Sequence, residues 1–447
     1  MLPRELGDLA RQLNVSVKSS VPISGFTIDS RKAVAGDLFV ALVADRDGHD
    51  YIKNAARNGA AAALVSKPTN LIPSICVEDT ERALGDLAHS IRATYQGDVF
   101  ALTGSQGKTS TRGFLVSILR QMSIRFGYHD ILATEGNLNN HLGVPITMAR
   151  LRPHHPFALF ELGASAVGEI AYLTAMVRPI ISALLNARVA HLEGFGSIDG
   201  VIQGKGEIID HTDPGGTVVL NSDDPAFARW SQRAGDRKVI SIGRYEADVR
   251  WIPRSPQRVS LQFDSRQITA DLPTLGYHFM ENAAAAAAMA FVAGATDDEI
   301  QFGLETAVIE PGRMTLRRLG HCLLVDDTYN ASPHSTRAAI DWLSTQRGIK
   351  ILVMGVLSEL GDSAQSEMKQ LGTYAKEKGI DRLIAMGLAD PIADGFGQDA
   401  ICVKSHDEVS DYLWGAISSV DVVLVKGSRS AQMDRVISAL ILKQESH

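Results

Sequence analysis

The sequence is poor in cysteine, and from its N-terminal stretch we expect no secretion signal. Its three cysteines (Cys76, Cys322 and Cys402) are far apart and form no CxxC pair. This spacing argues against a disulfide framework or a zinc knuckle and is typical of a reduced compartment. The N-terminal stretch "MLPRELGDLARQ" lacks the apolar core of a signal peptide. We therefore expect a cytoplasmic protein.

The chain also lacks an excess of positive charge and long apolar runs. Its net charge is -7, whereas a nucleic-acid-binding protein normally presents a basic face. The longest apolar run, residues 283–295, is too short to span a bilayer and indicates a buried helix. We therefore expect neither nucleic acid nor a membrane as a partner. With 45% hydrophobic and 21% charged residues, the 447-residue chain has a globular composition and a length that suggests about three domains.

Three blocks follow one another along the chain. Residues 1–84 mix helices with short strands such as "DLFVAL" and "AAALVS". Residues 85–315 contain the apolar strands "DVFALTG", "PFALFELG", "ISALLNA" and "GTVVLNSDD", and an alanine-rich helix after Asn282. In residues 316–447 the strands "LLVDD", "KILVMG", "RLIAMG" and "VVLVKG" alternate with amphipathic helices. We predict an α/β protein of three domains: a small N-terminal α/β domain, a central P-loop ATPase-like domain with a parallel sheet, and a C-terminal Rossmann-like domain.

The stretch "TGSQGKTS" has the features of a phosphate-binding loop. It lies between a buried strand and a helix, the context that such a loop requires. Lys108 would neutralise β- and γ-phosphate charge, and the Thr109 hydroxyl would bind Mg²⁺. Leu102 stands where the common pattern has a further glycine, so an ordinary strand-to-helix turn is the alternative. The residues assigned to the phosphates of a nucleotide are Gly104, Ser105, Gln106, Gly107, Lys108, Thr109 and Ser110.

Glu161 ends a second buried strand, "FALFE". A carboxylate beside the phosphate loop can hold Mg²⁺ directly or through water. The alternative is that Glu161 caps the next helix.

Several segments in collinear order resemble the Mur ligases, ATP-dependent amide-forming enzymes of peptidoglycan precursor synthesis. They are the phosphate loop, "GNLNNHLGVPITMARL", "FALFELGASAVGEIAYL", "AHLEGFGSIDGVIQGKGEII" and "DDTYNASPHS". The segments "TIDSRKAVAGDLFVAL", "DGHDYI" and "LVKGSRSAQMDRVI" extend the resemblance over nearly the whole chain. Within the family, the chain is most similar to members that add a dipeptide. That resemblance implies UDP-N-acetylmuramoyl-tripeptide and D-alanyl-D-alanine as substrates, ATP and Mg²⁺ as cofactors, and a monomer.

The resemblance also implies roles for individual residues. Glu161, His191 and Lys205 would join Thr109 around Mg²⁺. Lys108 and those three are the catalytic candidates. Lys205 lies where related ligases carry a carbamoylated lysine, and CO₂ would convert its amine into a carboxylate-like metal ligand. On residue type alone, a lone histidine is more often structural, and Lys205 could lie on a solvated helix face.

Further residues are implied at the nucleotide and at the UDP end of the other substrate. Asn140 would approach the γ-phosphate, although a run of asparagines is otherwise a turn signal. Asn282 would face the adenine, and Arg313 and Asp327 would contact the nucleotide, with Asp327 at the ribose. A helix cap for Asn282 and a strand-terminal turn for Asp327 are the alternatives. Asp29, Ser30 and Arg31 would bind the UDP end, or form a surface turn.

Two positions depart from the family pattern. Phe279 follows His278 where the family tends to have asparagine, and Val356 stands where the family favours aspartate. The rival hypotheses are a related ligase that adds one amino acid or a glutamyl tail, and an inactive nucleotide-gated binding protein.

Overall fold

A computed structural model describes residues 4–188, 192–358, 360 and 363–446. Its first region contains a parallel four-stranded sheet of order β3-β4-β5-β6 and a separate antiparallel ribbon of β1 and β2. The strands are β1 (Arg4–Glu5), β2 (Pro22–Ile23), β3 (Gly25–Thr27), β4 (Asp37–Val40), β5 (Ala62–Val65) and β6 (Ser74–Cys76). The helices are α1 (Leu6–Gln12), α2 (Ile52–Asn58) and α3 (Thr80–Thr94), with a 3₁₀ turn at Gly48–Tyr51.

The second region is built on a nine-stranded sheet, in which β7 to β13 run parallel and β14 and β15 are antiparallel. Its strands are β7 (Asp98–Thr103), β8 (Leu132–Ala133), β9 (Phe157–Glu161), β10 (Ile181–Leu184), β11 (Thr217–Asn221), β12 (Lys238–Gly243), β13 (Val249–Pro253), β14 (Arg258–Phe263) and β15 (Arg266–Asp271). The sheet order is β15-β14-β13-β12-β11-β10-β7-β9-β8. Its helices are α4 (Lys108–Arg125), α5 (Gly143–Ala149), α6 (Glu169–Val177), α7 (Leu192–Phe195), α8 (Ile198–Asp210), α9 (Phe227–Arg233), α10 (Tyr277–Val292) and α11 (Asp297–Glu305).

The third region is a six-stranded sheet of order β16-β17-β21-β18-β19-β20, parallel except for the edge strand β16. Its strands are β16 (Thr315–Leu319), β17 (Cys322–Asp327), β18 (Lys350–Met354), β19 (Arg382–Met386), β20 (Ala400–Val403) and β21 (Val422–Lys426). Its helices are α12 (Pro333–Ser344), α13 (Ala364–Glu377), α14 (Asp390–Phe396), α15 (His406–Ala416) and α16 (Asp434–Glu445), with 3₁₀ turns at Gly387–Ala389, Ile417–Ser419 and Arg429–Ala431.

These three sheets confirm the predicted fold class. The antiparallel strands β14 to β16 were not predicted. The hairpin between β14 and β15 turns on two residues, with Asp264 at φ +45°, and such tight turns pair strands without a helical crossover. Helix α3 crosses the predicted boundary at residues 84/85, and β16 crosses that at 315/316. The division of the chain at these two points stays a prediction.

Helix α10 occupies the centre of the second region. All eight residues 283–290 are fully buried, and seven of them are alanine. Small side chains let the helix pack closely against α4 on one side and strands β10 to β13 on the other. The first turns of α10 lie at the edge of the sheet from which the phosphate loop leaves. Among the described residues, no helix combines the length and the apolarity needed to cross a bilayer.

Candidate active site

The predicted phosphate loop connects β7 to α4. Because β7 lies between β10 and β9, the loop leaves the carboxyl edge of the parallel strands, where α/β proteins bind ligands. Gly107 has φ +81°, a left-handed conformation that favours glycine. A Cβ at this position would lie 2.2 Å from Oδ1 of Asn282. Both constraints explain the glycine immediately before Lys108.

The loop borders a cavity of about 450 Å³ that also contacts α10 and the third region. Cavities of this size hold small-molecule ligands and cofactors. Ten of the predicted site residues lie in its wall: Ser105, Gln106, Gly107, Lys108, Thr109, Ser110, Glu161, Asn282, Arg313 and Asp327. Gly104 lies at the start of the same loop.

The Lys108 amine folds back over the loop. Its Nζ donates to the carbonyl oxygens of Gly104 at 2.7 Å and Ser105 at 3.5 Å. A cation held at the start of helix α4 adds to the favourable potential that a helix N-terminus offers an anion. The position of Lys108 therefore suits a phosphate-neutralising role.

Thr109 and Glu161 lie side by side at the base of the cavity. The Thr109 hydroxyl donates to Oε1 of Glu161 at 3.3 Å, and Glu161 is 2% exposed. Its Oε2 lies 3.1 Å from Nη1 of Arg112 but accepts no hydrogen bond. Mg²⁺ prefers oxygen ligands. The Thr109 hydroxyl and the buried Oε2 of Glu161, which accepts no hydrogen bond, are therefore suitable ligands for it. Within the described ranges, no three His, Cys, Asp or Glu side chains are grouped so that they could hold a metal.

Two neighbouring asparagines differ in their position relative to Glu161. Asn139 donates from Nδ2 to Oε1 of Glu161 at 2.9 Å and lies in the cavity wall. Asn140 is exposed, and its Oδ1 accepts from the backbone N–H groups of Leu142 and Gly143 at the start of α5. The predicted γ-phosphate contact of Asn140 stays a prediction, and Asn139 is the asparagine that the fold brings to the carboxylate.

The wall from the third region brings together the ends of β17 and β21. Asp327 accepts from Nζ of Lys426 at 2.6 Å, and Lys426 is 2% exposed. The guanidinium carbon of Arg313 lies 4.0 Å from the centre of the Tyr329 ring. A carboxylate and an arginine stacked on an aromatic ring offer groups for ribose hydroxyls and for phosphate or base, respectively.

Gln106 joins the phosphate loop to the third region. Its Nε2 donates to the Ser332 hydroxyl at 2.5 Å, and its Oε1 lies 3.1 Å from Nδ1 of His334. Ser332 also caps helix α12. The loop and the start of α12 are therefore linked through one side chain.

The start of α10 supplies a third wall. Asn282 is 5% exposed, and Glu281 accepts from Asn221 at 2.7 Å. Burial raises the pKa of Glu281 to about 7, with Arg188 opposing the rise, and burial lowers the pKa of His278 to about 4. At neutral pH this wall therefore holds a neutral imidazole and a carboxyl that is partly protonated.

Lys205 lies on α8 behind the cavity wall and is 1% exposed. Its Nζ donates to the carbonyl oxygen of Ala164 at 2.9 Å and lies 5.1 Å from the centre of the Phe195 ring. Burial, and after it the charge of Lys108, holds the pKa of this amine well below its usual value. This burial excludes the solvated helix face considered as an alternative. The predicted metal ligand His191 lies outside the described residues.

The predicted UDP-end residues lie in the turn after β3. Arg31 donates from Nε and Nη2 to Asp29 at 2.9 and 2.8 Å, and this hydrogen bonding lowers the pKa of Asp29 to about 2. Ser30 is buried, and its hydroxyl accepts from Nδ2 of Asn54 at 3.0 Å. None of the three borders the cavity described above, and their role stays a prediction.

Known proteins are similar to this chain over nearly its whole length. Sequence profiles of the Mur ligase family match residues 22–92 (Mur ligase family, catalytic domain), 102–290 (Mur ligase middle domain) and 312–429 (Mur ligase, glutamate ligase domain). The UDP-N-acetylmuramoyl-tripeptide--D-alanyl-D-alanine ligase of Escherichia coli K12 is 37% identical, covering 98% of this chain and 99% of its own. The chain belongs to the Mur ligase family.

Solved structures of Mur ligases agree with this assignment. MurF from Acinetobacter baumannii superposes with a TM-score of 0.89 at 33% identity, covering 98% of this chain and 99% of its own. MurF ligase from Thermotoga maritima in complex with ADP gives a TM-score of 0.83 at 29% identity, covering 94% and 98%. The family resemblance inferred from the motifs is confirmed.

The structure also places the two departures in this Mur ligase. Phe279 is 3% exposed and packs into the apolar core while touching the cavity wall, so an aromatic ring fills the place of an amide. Val356 is partly buried, and its carbonyl oxygen accepts from the backbone N–H of Ser428 at 3.0 Å and from the Ser428 hydroxyl at 2.7 Å. The backbone at Val356 therefore still joins two loops, although the side chain carries no charge.

Sequence reasoning missed three residues of the cavity wall or its support: Arg112, Asn139 and Lys426. Asn139 lay within the quoted "NLNN", and Lys426 within "LVKGSRS", so both were in segments already singled out. Arg112 pairs with Glu161 and Glu310, and this contact joins residues 198 apart in the chain. No local pattern indicated that contact.

Proposed function

We propose that the protein is an ATP-dependent ligase that joins D-alanyl-D-alanine to UDP-N-acetylmuramoyl-tripeptide. The products are UDP-N-acetylmuramoyl-pentapeptide, ADP and phosphate. The reaction belongs to peptidoglycan precursor synthesis, on which bacterial cell shape and division depend. One observation carries the proposal: the phosphate-loop cavity, with Lys108, Thr109 and Glu161 in its wall, occurs in a chain that aligns with such ligases from end to end.

Amide formation from a free carboxylate is uphill in water, so the carboxylate must be activated. The terminal carboxylate of the tripeptide attacks the γ-phosphorus of ATP, which gives an acyl phosphate and ADP. The amine of D-alanyl-D-alanine then attacks the acyl carbon, phosphate leaves, and the amine loses a proton. No covalent enzyme intermediate is needed, so the protein contributes positioning and charge neutralisation.

The residues of the cavity divide these tasks. Lys108 and the loop N–H groups hold the phosphates, and Asn282, Arg313 and Asp327 hold the rest of the nucleotide. Mg²⁺, held by Thr109 and Glu161 with His191 and Lys205, would offset charge on the phosphates. Asp29, Ser30 and Arg31 would hold the UDP end of the other substrate.

We also propose that Lys205 is carbamoylated. Its neutral amine would add to CO₂ and release one proton, giving a carbamate anion. The buried position supports this step, because a lowered pKa increases the fraction of the amine that is unprotonated and nucleophilic. The monomeric state, the cytoplasmic location and the domain boundaries at 84/85 and 315/316 belong to the same proposal.

The deciding experiment measures phosphate release from ATP with UDP-N-acetylmuramoyl-tripeptide, with and without D-alanyl-D-alanine. Mass detection of the nucleotide product accompanies it. We expect release that requires both substrates and a pentapeptide product. Tight ATP binding without release would contradict the proposal and favour the inactive binding protein. Release with a single amino acid or with a folate substrate instead would favour another ligase of the family.

A further inference from the structure

A second, smaller cavity of about 80 Å³ lies where the first and second regions meet, and we call it the junction cavity. Three segments form its wall: the start of β1, the residues between α3 and β7, and the residues after α5. Among the described residues, none borders both this cavity and the phosphate-loop cavity. Gly97 precedes β7 and Gly104 follows it, and the six residues of this strand span about 20 Å. The junction cavity is therefore remote from the candidate active site.

Two arginines lie in this wall without a carboxylate beside them. Burial, and after it the charge of Arg152, lowers the pKa of Arg4, so the two guanidinium groups are close enough to repel each other. Both stay charged at neutral pH, because arginine is not deprotonated in proteins. In the part of the chain that the structure describes, no acidic residue borders the cavity. The neighbouring Arg150, by contrast, has an ion pair with Glu135 at 2.7 Å.

The guanidinium of Arg152 is held in place by backbone carbonyl groups. Its Nη1 donates to the carbonyl oxygens of Ala149 and Leu151, each at 2.9 Å. Its Nη2 donates to the carbonyl oxygen of Ser24, which belongs to the first region. These bonds fix the positive charge between the two regions. They use three of the five N–H hydrogens, so Nε and Nη2 each keep one hydrogen for a ligand.

Further donors in the wall have no acceptor within the described ranges. The side chain of Arg4 donates to no residue there, and neither do the backbone N–H groups of Gln96 and Gly97. A half-buried cation with unused N–H groups gains from an anion that supplies several acceptor oxygens. The wall therefore offers positive charge and hydrogen-bond donors to one small ligand.

We propose that the junction cavity binds a free oxyanion of the phosphate type. The fork of N–H groups on a guanidinium matches the oxygens of phosphate, and two neighbouring cations favour an anion with more than one charge. The cavity is larger than a single water molecule needs but much smaller than cavities that hold whole nucleotides. A bound anion would remove the repulsion between Arg4 and Arg152. It would thereby strengthen the junction between the two regions.

The test titrates inorganic phosphate into the protein by calorimetry at constant ionic strength. Mg²⁺ and a non-hydrolysable ATP analogue are present, so that the phosphate loop is already occupied. We expect phosphate to bind the wild-type protein, and Arg4→Gln to weaken that binding roughly tenfold or more, because a charged hydrogen bond is lost. Arg11→Gln is the matched control and should bind phosphate like the wild type. Arg11 is exposed in the same region, pairs with Asp8 and does not border the cavity.

Thermal unfolding separates a binding role of Arg4 from a purely structural one. Without phosphate, we expect Arg4→Gln to unfold at the same temperature as the wild type or at a higher one, because one of two like charges is removed. Phosphate should then raise the unfolding temperature of the wild type more than that of the variant. A lower unfolding temperature of Arg4→Gln together with an unchanged phosphate affinity would make Arg4 a structural residue and refute the site.

A second variant changes the wall without removing an arginine. Gln96 is exposed at the cavity, and the carboxylate of Gln96→Glu would pair with the arginines and repel phosphate, so we expect binding to be lost. Unchanged affinity in this variant, or no binding of millimolar phosphate to the wild type, would overturn the proposal. UDP is the remaining probe. If it bound the wild type more tightly than Arg4→Gln, the cavity would belong to a nucleotide-linked substrate, and the free-oxyanion site would be wrong.

Discussion

The two walls of the cavity are built in different ways. The wall with the phosphate loop takes most of its groups from residues 104–110, one stretch between a strand and a helix. The opposite wall takes its groups from the ends of β17, β18 and β21, which lie far apart in the chain and meet only in the sheet. The contiguous wall has the backbone geometry and the lysine that suit phosphates, and the assembled wall offers side chains suited to selecting substrates.

The largest expected effect tests the contiguous wall. Lys108→Ala removes the cation over the phosphate loop, and we expect ligation to fall on the order of a thousandfold or more, because charge stabilisation at a transferring phosphoryl group is lost. Phosphate release measures this, and circular dichroism checks the fold.

Arg120→Ala, an exposed change on the same helix α4, should leave ligation unaltered. Wild-type turnover in a natively folded Lys108→Ala protein would refute the phosphate-loop assignment.

A somewhat smaller loss of activity is expected from a change at Lys205, which lies behind the same wall. Lys205→Ala removes the proposed carbamate, and we expect activity to fall on the order of a hundredfold, because one group that stabilises the transition state is lost. A short-chain carboxylic acid should partly restore activity, because it can supply the missing carboxylate in the space left by the side chain.

The same acid should not rescue Lys108→Ala, whose defect is a missing cation. Full activity in Lys205→Ala would remove the carbamate from the mechanism.

The smallest expected effect concerns the contact between the walls. Gln106→Ala removes the hydrogen bonds to Ser332 and His334, and we expect a KM for ATP about fivefold higher, the value of roughly one hydrogen bond. Small-angle scattering should also show a larger radius of gyration if this contact favours a closed arrangement.

Gln203→Ala, exposed on α8, provides the control. Identical scattering and KM values in the two variants would show that the walls approach each other without help from Gln106.

The contiguous wall was predictable from a local pattern, whereas in the assembled wall the family resemblance indicated Arg313 and Asp327 but not their partners. In residues 104–110 the side chains that meet a phosphate are neighbours in sequence, so their spacing already implies their geometry. Asp327 and Lys426 pair only because β17 and β21 are adjacent strands, and a strand order does not follow from local patterns. The neighbours Asn139 and Asn140 show a finer limit, since the turn before α5 decides which of two identical side chains contacts Glu161.

Lys205 illustrates a third case. Its position on a helix was compatible with a solvated face, and only the packing of α8 shows that the amine is buried. Burial depends on what the rest of the chain places around a residue, and a single segment does not contain that information.

The buried alanines of α10 have a consequence for substitutions that lie away from the cavity. Residues 283–290 are fully buried, so the two methyl groups that Ala286→Val adds would overpack the surroundings of the helix. The helix would have to move as a unit, and its leading turns carry Phe279, Glu281 and Asn282 in the cavity wall. Nucleotide affinity would then be sensitive to substitutions at positions that no ligand touches.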